Sequence, residues 1–434
     1  MISAPKRVLL PAVATMLALG LVVAGAVLGG PAADGQATKK QLSPVAARGS
    51  VEALQVRLER LPGDYIGWAT LGQLYVNRAR LTADPTYYPK AQGALERSLQ
   101  VRPQDNAAAL TGMAALQSAQ HVFARSEVTA REAIAVNAYD AGAYGILSDA
   151  LNELGRYDES AAALQKMADL KPTFTAFARA SYARELRGDV SGARQAMEQA
   201  LAMTVSPEDA GFALFYLGEL EWNYGGDVEA ASALYDRGLS RDPKFLPLQA
   251  AVAKVAAARG NTDEALRLYQ AVTSRVPFPL WVTEQGELLA SLGREDEAQE
   301  QYDVVRVSNQ LLVANGANVD MEAGLFEADH GTSQAALAAA EQAYADRRTV
   351  FTEDALAWAL HAAGRDAEAL PHAEAALALG IRPAYFLYHK GMIEKSLGRT
   401  EDAVVSLRAA LDINPNFSPL QVQILRTALA ELGG

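Results

Sequence analysis

Glycines recur at a nearly constant spacing through most of this 434-residue chain, and that spacing restricts the fold more than any other feature. From Gly155 to Gly398, consecutive members of the series lie 33, 38, 34, 33, 38, 33 and 34 residues apart. An alanine stands five residues after each of them except Gly155, which has Ser160 there. A fixed period in this range indicates stacked copies of one structural unit. The sequence therefore predicts one elongated repeat array rather than two or three globular domains.

The pattern inside each unit is that of two helices joined by a tight turn. In the copy from Tyr385 to Pro415, Gly398 ends one apolar-striped helix and Pro415 ends the next. Glycine ends a helix because the turn favours φ > 0, where a Cβ is penalised. The alanine allows close helix approach, and a larger residue such as Tyr235 or Leu407 follows four positions later on the same face. We expect an all-α fold.

This pattern resembles the tetratricopeptide repeat, whose signature is W-x2-L-G-x2-Y, then A-x3-F, then P. The first unit carries the front half of it as Trp68, Leu71, Gly72 and Tyr75. The resemblance extends over residues 64–416. It implies an α-solenoid superhelix of about ten helix-turn-helix repeats, similar to the bacterial exported tetratricopeptide proteins that serve as scaffolds or adaptors.

The N-terminal residues differ in composition from the array. Lys6 and Arg7 precede an uncharged stretch, Val8 to Ala33, which is long enough to span a bilayer. Residues 1–30 are interpreted as an uncleaved signal anchor or a cleaved signal peptide, and both alternatives remain open. Residues 31–63 are interpreted as a linker and an N-terminal capping helix. The charge distribution favours extracytoplasmic repeats, so we expect a protein that is membrane-anchored by its N-terminal helix or secreted after cleavage.

Several units depart from the regular spacing. Residues 81–90 predict a lengthened turn that contains Tyr87 and Tyr88. The two 38-residue spacings predict irregular joints at residues 205–212 and 307–318. His121 stands where the second unit should have its turn glycine, and residues 417–434 predict a C-terminal capping helix with the stripe Leu420, Ile424, Leu425, Ala428 and Leu432.

Composition and motifs exclude several classes of function. The net charge of −12 leaves no basic surface for nucleic acid. The absence of cysteine excludes disulfides, thiolate catalysis and cysteine-bound metal. P-loop, dinucleotide-binding, G-x-S-x-G and H-E-x-x-H motifs are absent from the sequence. We therefore expect a protein that is not an enzyme and has no cofactor.

Four of the five histidines, His330, His361, His372 and His389, fall within sixty residues. A shared ion between His361 and His389 is disfavoured, because six positions of offset separate them by about 9 Å along the helix axis. His330 and His361, beside Asp329, are better placed. We assign no metal site, but an accessory role in metal or small-solute handling by these repeats is the alternative function.

The resemblance also implies where a partner binds, because in that family the first helices of the repeats line a concave groove. Carried over by the matched frame, the groove residues are Arg179, Tyr182, Phe212, Phe215, Tyr216, Glu219, Trp222, Phe351, Asp354, Trp358, His361, Tyr385, Tyr388, His389 and Met392. Aromatic residues with Arg and Met are typical of contact surfaces, although each can instead fill space between helices. The preferred hypothesis is a non-catalytic scaffold that binds a protein or peptide segment in this groove.

Overall fold

The computed structural model describes residues 51–82 and 84–433, and within those ranges all regular structure is helical. The helices are α1 (Val51–Arg60), α2 (Tyr65–Thr82), α3 (Tyr87–Val101), α4 (Ala107–Ala119), α5 (Phe123–Val136), α6 (Ala141–Glu153), α7 (Tyr157–Leu170), α8 (Phe174–Glu185), α9 (Val190–Ala202), α10 (Pro207–Leu220), α11 (Val228–Arg241), α12 (Leu246–Ala258), α13 (Thr262–Thr273), α14 (Pro279–Ser291), α15 (Glu295–Ala314), α16 (Asp320–His330), α17 (Ser333–Asp346), α18 (Val350–Ala362), α19 (Asp366–Ala376), α20 (Ala384–Ser396), α21 (Thr400–Ile413) and α22 (Gln421–Glu431). A π-helical segment, Glu221–Gly225, continues α10.

Helices α2 to α21 form ten consecutive pairs, which confirms the predicted all-α array. In most pairs the turn uses a left-handed residue, as at Gly155 with φ +73° and Gly398 with φ +73°, whereas Gly331 of the same series has φ −138°. His121 adopts the left-handed conformation with φ 58°, and its ring stacks on Phe123 at 5.4 Å. A non-glycine residue accepts this backbone at a cost. The turn geometry is therefore kept even where the glycine is lost.

Small residues allow the paired helices to approach closely. The alanines five residues after the turn glycines have no exposed surface: Ala193, Ala231, Ala265, Ala298, Ala336, Ala369 and Ala403. Larger side chains pack against glycines of the facing helix. A Cβ added at Gly218 would lie 2.2 Å from Tyr235, and one at Gly286 would lie 2.5 Å from Tyr302. The predicted alternation of small and large residues is thus the packing arrangement within the pairs.

The residues that some units have in addition to the regular spacing lie mainly within helices. This finding corrects the prediction of a lengthened turn and irregular joints. Tyr87 and Tyr88 belong to the first turn of α3, and the buried Tyr88 hydroxyl donates to the Ala119 carbonyl at 3.0 Å. Helix α15 continues to Ala314, through most of the predicted second joint. Helix α10 begins at Pro207, inside the predicted first joint. A helix satisfies its own backbone hydrogen bonds, so added residues extend helices without leaving polar groups unpaired.

Successive turns of the superhelix contact one another. The turn after α4 meets the loop before α16, where the Asn318 N–H donates to the Gln120 carbonyl at 2.9 Å. The turn after α6 meets the loop before α18, where Arg347 binds Glu153 at 2.6 Å. The turns after α8 and after the π segment meet the loops before α20 and α22 in the same way. The offset between the contacting elements is the same in all four places.

The two ends of the array are covered by single helices. Helix α1 buries Leu54 and Leu58, whereas Leu61 is exposed. The predicted signal anchor or signal peptide, residues 1–30, and the first part of the predicted linker lie outside the described residues. None of the helices in residues 51–82 and 84–433 has the length and apolarity that crossing a membrane requires.

Candidate binding surface

The fifteen side chains predicted to line the groove lie on α8, α10, the π segment, α18 and α20, and none of them is exposed. Eight are buried: Arg179, Phe212, Trp222, Phe351, Asp354, Trp358, Tyr388 and His389. Seven are half-buried: Tyr182, Phe215, Tyr216, Glu219, His361, Tyr385 and Met392. Their role in binding a partner stays a prediction. The buried ones have packing and hydrogen-bonding partners within the chain.

Two ion pairs with little exposure to water lie at the face formed by the first helices of the pairs, here called the inner face. Arg179 on α8 binds both carboxylate oxygens of Asp149 on α6, at 2.9 and 2.7 Å. Arg347 binds Glu153 at 2.6 Å and so connects two turns of the superhelix. Each side chain is at most 9% exposed. Removing one member would leave a buried charge without its partner, so these residues hold the array together.

Acidic groups dominate the middle of the inner face. Glu219 accepts hydrogen bonds from the Tyr235 hydroxyl at 2.6 Å and from Lys254 at 2.8 Å. The Lys254 ammonium also lies 4.7 Å from the centre of the Trp222 ring. Burial raises the pKa of Glu284 to about 7; the Lys254 charge opposes this shift and nearby carboxylates add to it. Lys254 thus offsets part of the negative charge of Glu219 and Glu284.

Trp358 organises a polar and aromatic cluster on α16, α18 and α20. Its indole N–H donates to Asp329 Oδ1 at 2.9 Å. Its ring stacks on His389 at 4.1 Å and on His361 at 4.8 Å. His389 Nδ1 lies 3.0 Å from Asp354. Burial raises the pKa of Asp354, and His389 offsets only part of this rise. The predicted groove residues Trp358 and His389 are thus placed together and contact each other directly.

Residues 414–432, here called the C-terminal segment, cross the inner face. The Ser418 hydroxyl donates to Glu287 Oε2 at 2.7 Å, and the Gln421 amide donates to Asp329 Oδ2 at 2.9 Å. Both acceptors lie on first helices of earlier pairs, α14 and α16. The capping role predicted for residues 417–434 thus includes contacts well beyond the last repeat.

Apolar contacts hold the same segment in place. Leu425, Ala428 and Leu429 of α22 are buried in one cluster with Trp358 and Tyr388. The predicted stripe is shifted, because Ile424 is 42% exposed and Leu429 is buried instead. Part of the predicted groove is therefore covered by the chain itself.

A cleft of about 250 Å³ remains beside the C-terminal segment. One wall comes from α12, α13 and α14 and includes Lys254, Tyr269 and Glu284. The opposite wall comes from the C-terminal segment and includes Phe417 and Val422. The cleft thus combines apolar, acidic and basic groups.

Comparison with protein families identifies the repeat. One tetratricopeptide repeat model matches residues 141–174 and 384–417, and a second matches residues 177–244 and 251–310. The chain is a tetratricopeptide repeat protein. The matched ranges coincide with the helix pairs α6–α7, α8 to α11, α12 to α15, and α20–α21. A comparison with curated proteins finds no match.

Solved structures resemble the chain over different lengths. A thermophilic protein from Thermus thermophilus is 24% identical and covers 42% of this chain and 96% of its own, with a TM-score of 0.37. The human IFIT1 dimer with m7Gppp-AAAA is 13% identical, with 85% and 86% covered and a TM-score of 0.46. Yeast Tom70 is 12% identical, with 90% and 87% covered and a TM-score of 0.36.

The histidines of the later tetratricopeptide repeats each lie beside a carboxylate. His361 contacts Asp366, His372 contacts Glu353, and His389 contacts Asp354. His330 lies 3.3 Å from Glu287 and beside Asp329. The structure therefore joins His330 to α14 rather than to His361, which was its expected neighbour.

Sequence reasoning missed the contacts that the C-terminal segment makes on the tetratricopeptide repeats. Ser418 is 131 residues from Glu287, and Gln421 is 92 residues from Asp329. Both contacts depend on the curvature accumulated over several repeats, and the repeat pattern does not specify that curvature. The available signal was local: Ser418-Pro419 marks the beginning of a new element after Pro415.

Proposed function

We propose that this protein is a non-catalytic scaffold that binds a protein or peptide segment on the inner face of its tetratricopeptide superhelix. The observation that carries the proposal is the cleft between α12–α14 and the C-terminal segment. Most of the remaining inner face is filled by the chain's own side chains. The absence of catalytic motifs from the sequence supports a role without chemistry.

The C-terminal segment indicates the chemistry of the partner. It is held by a hydroxyl and an amide that donate to Glu287 and Asp329, together with apolar side chains of α22. A partner segment that offers hydrogen-bond donors or positive charge beside aliphatic groups would satisfy the same surface. The net charge of −12 also favours a basic or neutral partner and disfavours nucleic acid.

Site-specific cross-linking tests this proposal. A photoreactive amino acid is placed at Leu292, which lines the cleft and is 43% exposed. The matched control places it at Val128 on α5, which is 57% exposed and lies outside the cleft lining. We expect a discrete protein adduct from Leu292 only. Identical adducts from both positions, or none from Leu292 in cells of the native host, would contradict binding at the cleft.

Alanine substitution of Trp358 and Tyr388 is not a clean test of binding. Both side chains are buried in one cluster with α22. Truncating a buried aromatic residue costs about 3–5 kcal/mol, so loss of partner capture would follow from loss of folding. The exposed cleft position is therefore the better choice.

We propose that the repeats lie outside the cytoplasm, either anchored by the N-terminal residues or released after their removal. The support is the uncharged stretch from Val8 to Ala33 and the charges that precede it. A C-terminal alkaline phosphatase fusion should be active in cells, and a C-terminal fluorescent protein that folds only in the cytoplasm should be dark. The opposite pair of results would refute this location.

A further inference from the structure

Three potential metal ligands converge where α14 and α16 lie under the C-terminal segment. Glu287 comes from α14, and Asp329 and His330 come from the last turn of α16. One ligand atom from each of the three lies within 4.8 Å of the other two. One imidazole nitrogen and two carboxylate oxygens form a donor set that suits first-row divalent metal ions.

The histidine of this group is held in a defined orientation. The His330 ring stacks on Tyr302 with 4.1 Å between ring centres and 17° between planes. Its backbone carbonyl accepts from Arg306 at 2.7 Å. The side chain is only 5% exposed, and Nε2 points at Glu287 Oε1 from 3.3 Å. The nitrogen that would bind an ion is thus already directed at a second ligand.

Neutral groups orient the two carboxylates from outside. Asp329 accepts from the Trp358 indole and from the Gln421 amide, both at 2.9 Å. Glu287 accepts from the Ser418 hydroxyl at 2.7 Å. Hydrogen bonds of this kind fix the direction of metal ligands and strengthen binding in known metal sites.

Within the described residues, neither lysine nor arginine hydrogen-bonds to Glu287 or Asp329. The hydrogen bonds to Glu287 and Asp329 described above come from neutral donors and from His330. Two adjacent carboxylates favour a bound cation, because the cation compensates their repulsion.

We propose that Glu287, Asp329 and His330 bind one divalent transition-metal ion, with Zn²⁺ as the representative ion. Nε2 of His330 would exchange its contact with Glu287 for the metal, and small rotations of the three side chains would bring their ligand atoms to bonding distance. Glu287 and Ser418 line the cleft, which gives the ion and a completing water molecule a route from solvent. The ion would connect α14 to α16 beneath the C-terminal segment.

The proposal does not depend on the scaffold function. A bound ion would stabilise the contact between two repeats and the C-terminal segment when a partner lies in the cleft beside that segment. A cationic partner that displaced the C-terminal segment from Glu287 and Asp329 would instead compete with the ion. The two hypotheses therefore fail separately, one by loss of ion binding and the other by loss of cross-linking.

Calorimetric titration of the untagged full-length chain with Zn²⁺, after treatment with a chelator, tests the site. We expect one ion per chain. His330→Gln and Asp329→Asn should each weaken binding at least about tenfold, and Gln421→Ala should weaken it roughly 10- to 100-fold through the lost orienting hydrogen bond. The matched control is His372→Gln, because His372 contacts a single carboxylate, Glu353. It should leave the affinity unchanged.

Circular dichroism and a thermal melt accompany each titration, so that unfolding is distinguished from loss of a ligand. Zn²⁺ should raise the melting temperature of the unsubstituted chain and of His372→Gln, but not that of Asp329→Asn. Ca²⁺ and Mg²⁺ should not replace Zn²⁺, since they prefer all-oxygen sites. The proposal would be overturned if the unsubstituted chain took up no stoichiometric Zn²⁺. It would also be overturned if His330→Gln and Asp329→Asn, both folded, bound Zn²⁺ as tightly as the unsubstituted chain does.

Discussion

Contact between successive turns of the superhelix can be tested by adding a single methyl group. Gly155 lies in the turn after α6 with φ +73°, and a Cβ built there would lie 2.0 Å from the Arg348 carbonyl oxygen. Gly293 occupies the same place in another repeat with φ +74°, but a Cβ there meets nothing within 4 Å. Gly155→Ala and Gly293→Ala therefore share the backbone strain and differ in the collision.

The expected magnitudes follow from these two terms. The left-handed conformation costs an alanine roughly 1–2 kcal/mol, and both variants should lose this amount. Overpacking against a neighbouring backbone adds about 1–3 kcal/mol, which applies to Gly155→Ala alone. If the loop before α18 moves away, the hydrogen bond from the Val350 N–H to the Tyr157 hydroxyl, 3.1 Å long, is lost as well.

Hydrogen exchange at the Val350 amide is the most direct assay. The collision of about 1–3 kcal/mol corresponds to exchange at least roughly 5- to 150-fold faster in Gly155→Ala than in Gly293→Ala, whose backbone strain lies away from Val350. Because repeat arrays need not unfold in one step, this local probe is preferable to a single denaturation midpoint. Equal exchange rates in the two variants would show that the turns of the superhelix do not touch in solution at this point.

Three further predictions concern buried polar groups. Burial raises the pKa of Glu284 to about 7. This group therefore stabilises the folded state below pH 4.5, and its contribution is lost as the pH rises to about 7. Glu284→Gln should remove this part of the pH dependence in denaturation experiments. Arg179→Ala leaves Asp149 buried without its partner and should lower the free energy of unfolding by about 3–5 kcal/mol. Adding Asp149→Leu should restore much of this loss. A double variant no more stable than Arg179→Ala would contradict the prediction. Tyr88→Phe removes the hydrogen bond to Ala119 and should lower stability by about 1 kcal/mol, measurable by urea denaturation.

The local features of the fold could be predicted from the sequence because they arise within one repeat. Gly155 and Gly398 mark turns that need positive φ, and Ala231 and Ala403 mark contacts that admit no larger side chain. Each of these requirements selects a residue type at a fixed spacing, so the period shows it directly. The ten helix pairs follow from counting such spacings.

Contacts between distant repeats could not be predicted in the same way. Arg347 and Glu153 are 194 residues apart, and neither stands out within its own repeat. Their meeting depends on the pitch of the superhelix, which sums small rotations over about five repeats. Within their own repeats, Arg347 and Glu153 have the character of ordinary solvated surface residues. Only the rotation accumulated over the repeats brings them together.

The same summation explains why the predicted groove residues lie in the protein interior. The turn of each of four repeats meets a loop that follows five repeats later, so the inner face has few repeats around its circumference and little open space. Aromatic side chains such as Phe212, Trp358 and Tyr388 are buried in clusters with neighbouring helices and are not free for a ligand. We therefore expect a partner either to bind in the cleft beside the C-terminal segment or to displace that segment. Cross-linking from Leu292 and hydrogen exchange in α22 distinguish these two routes, because only displacement would expose the amides of α22.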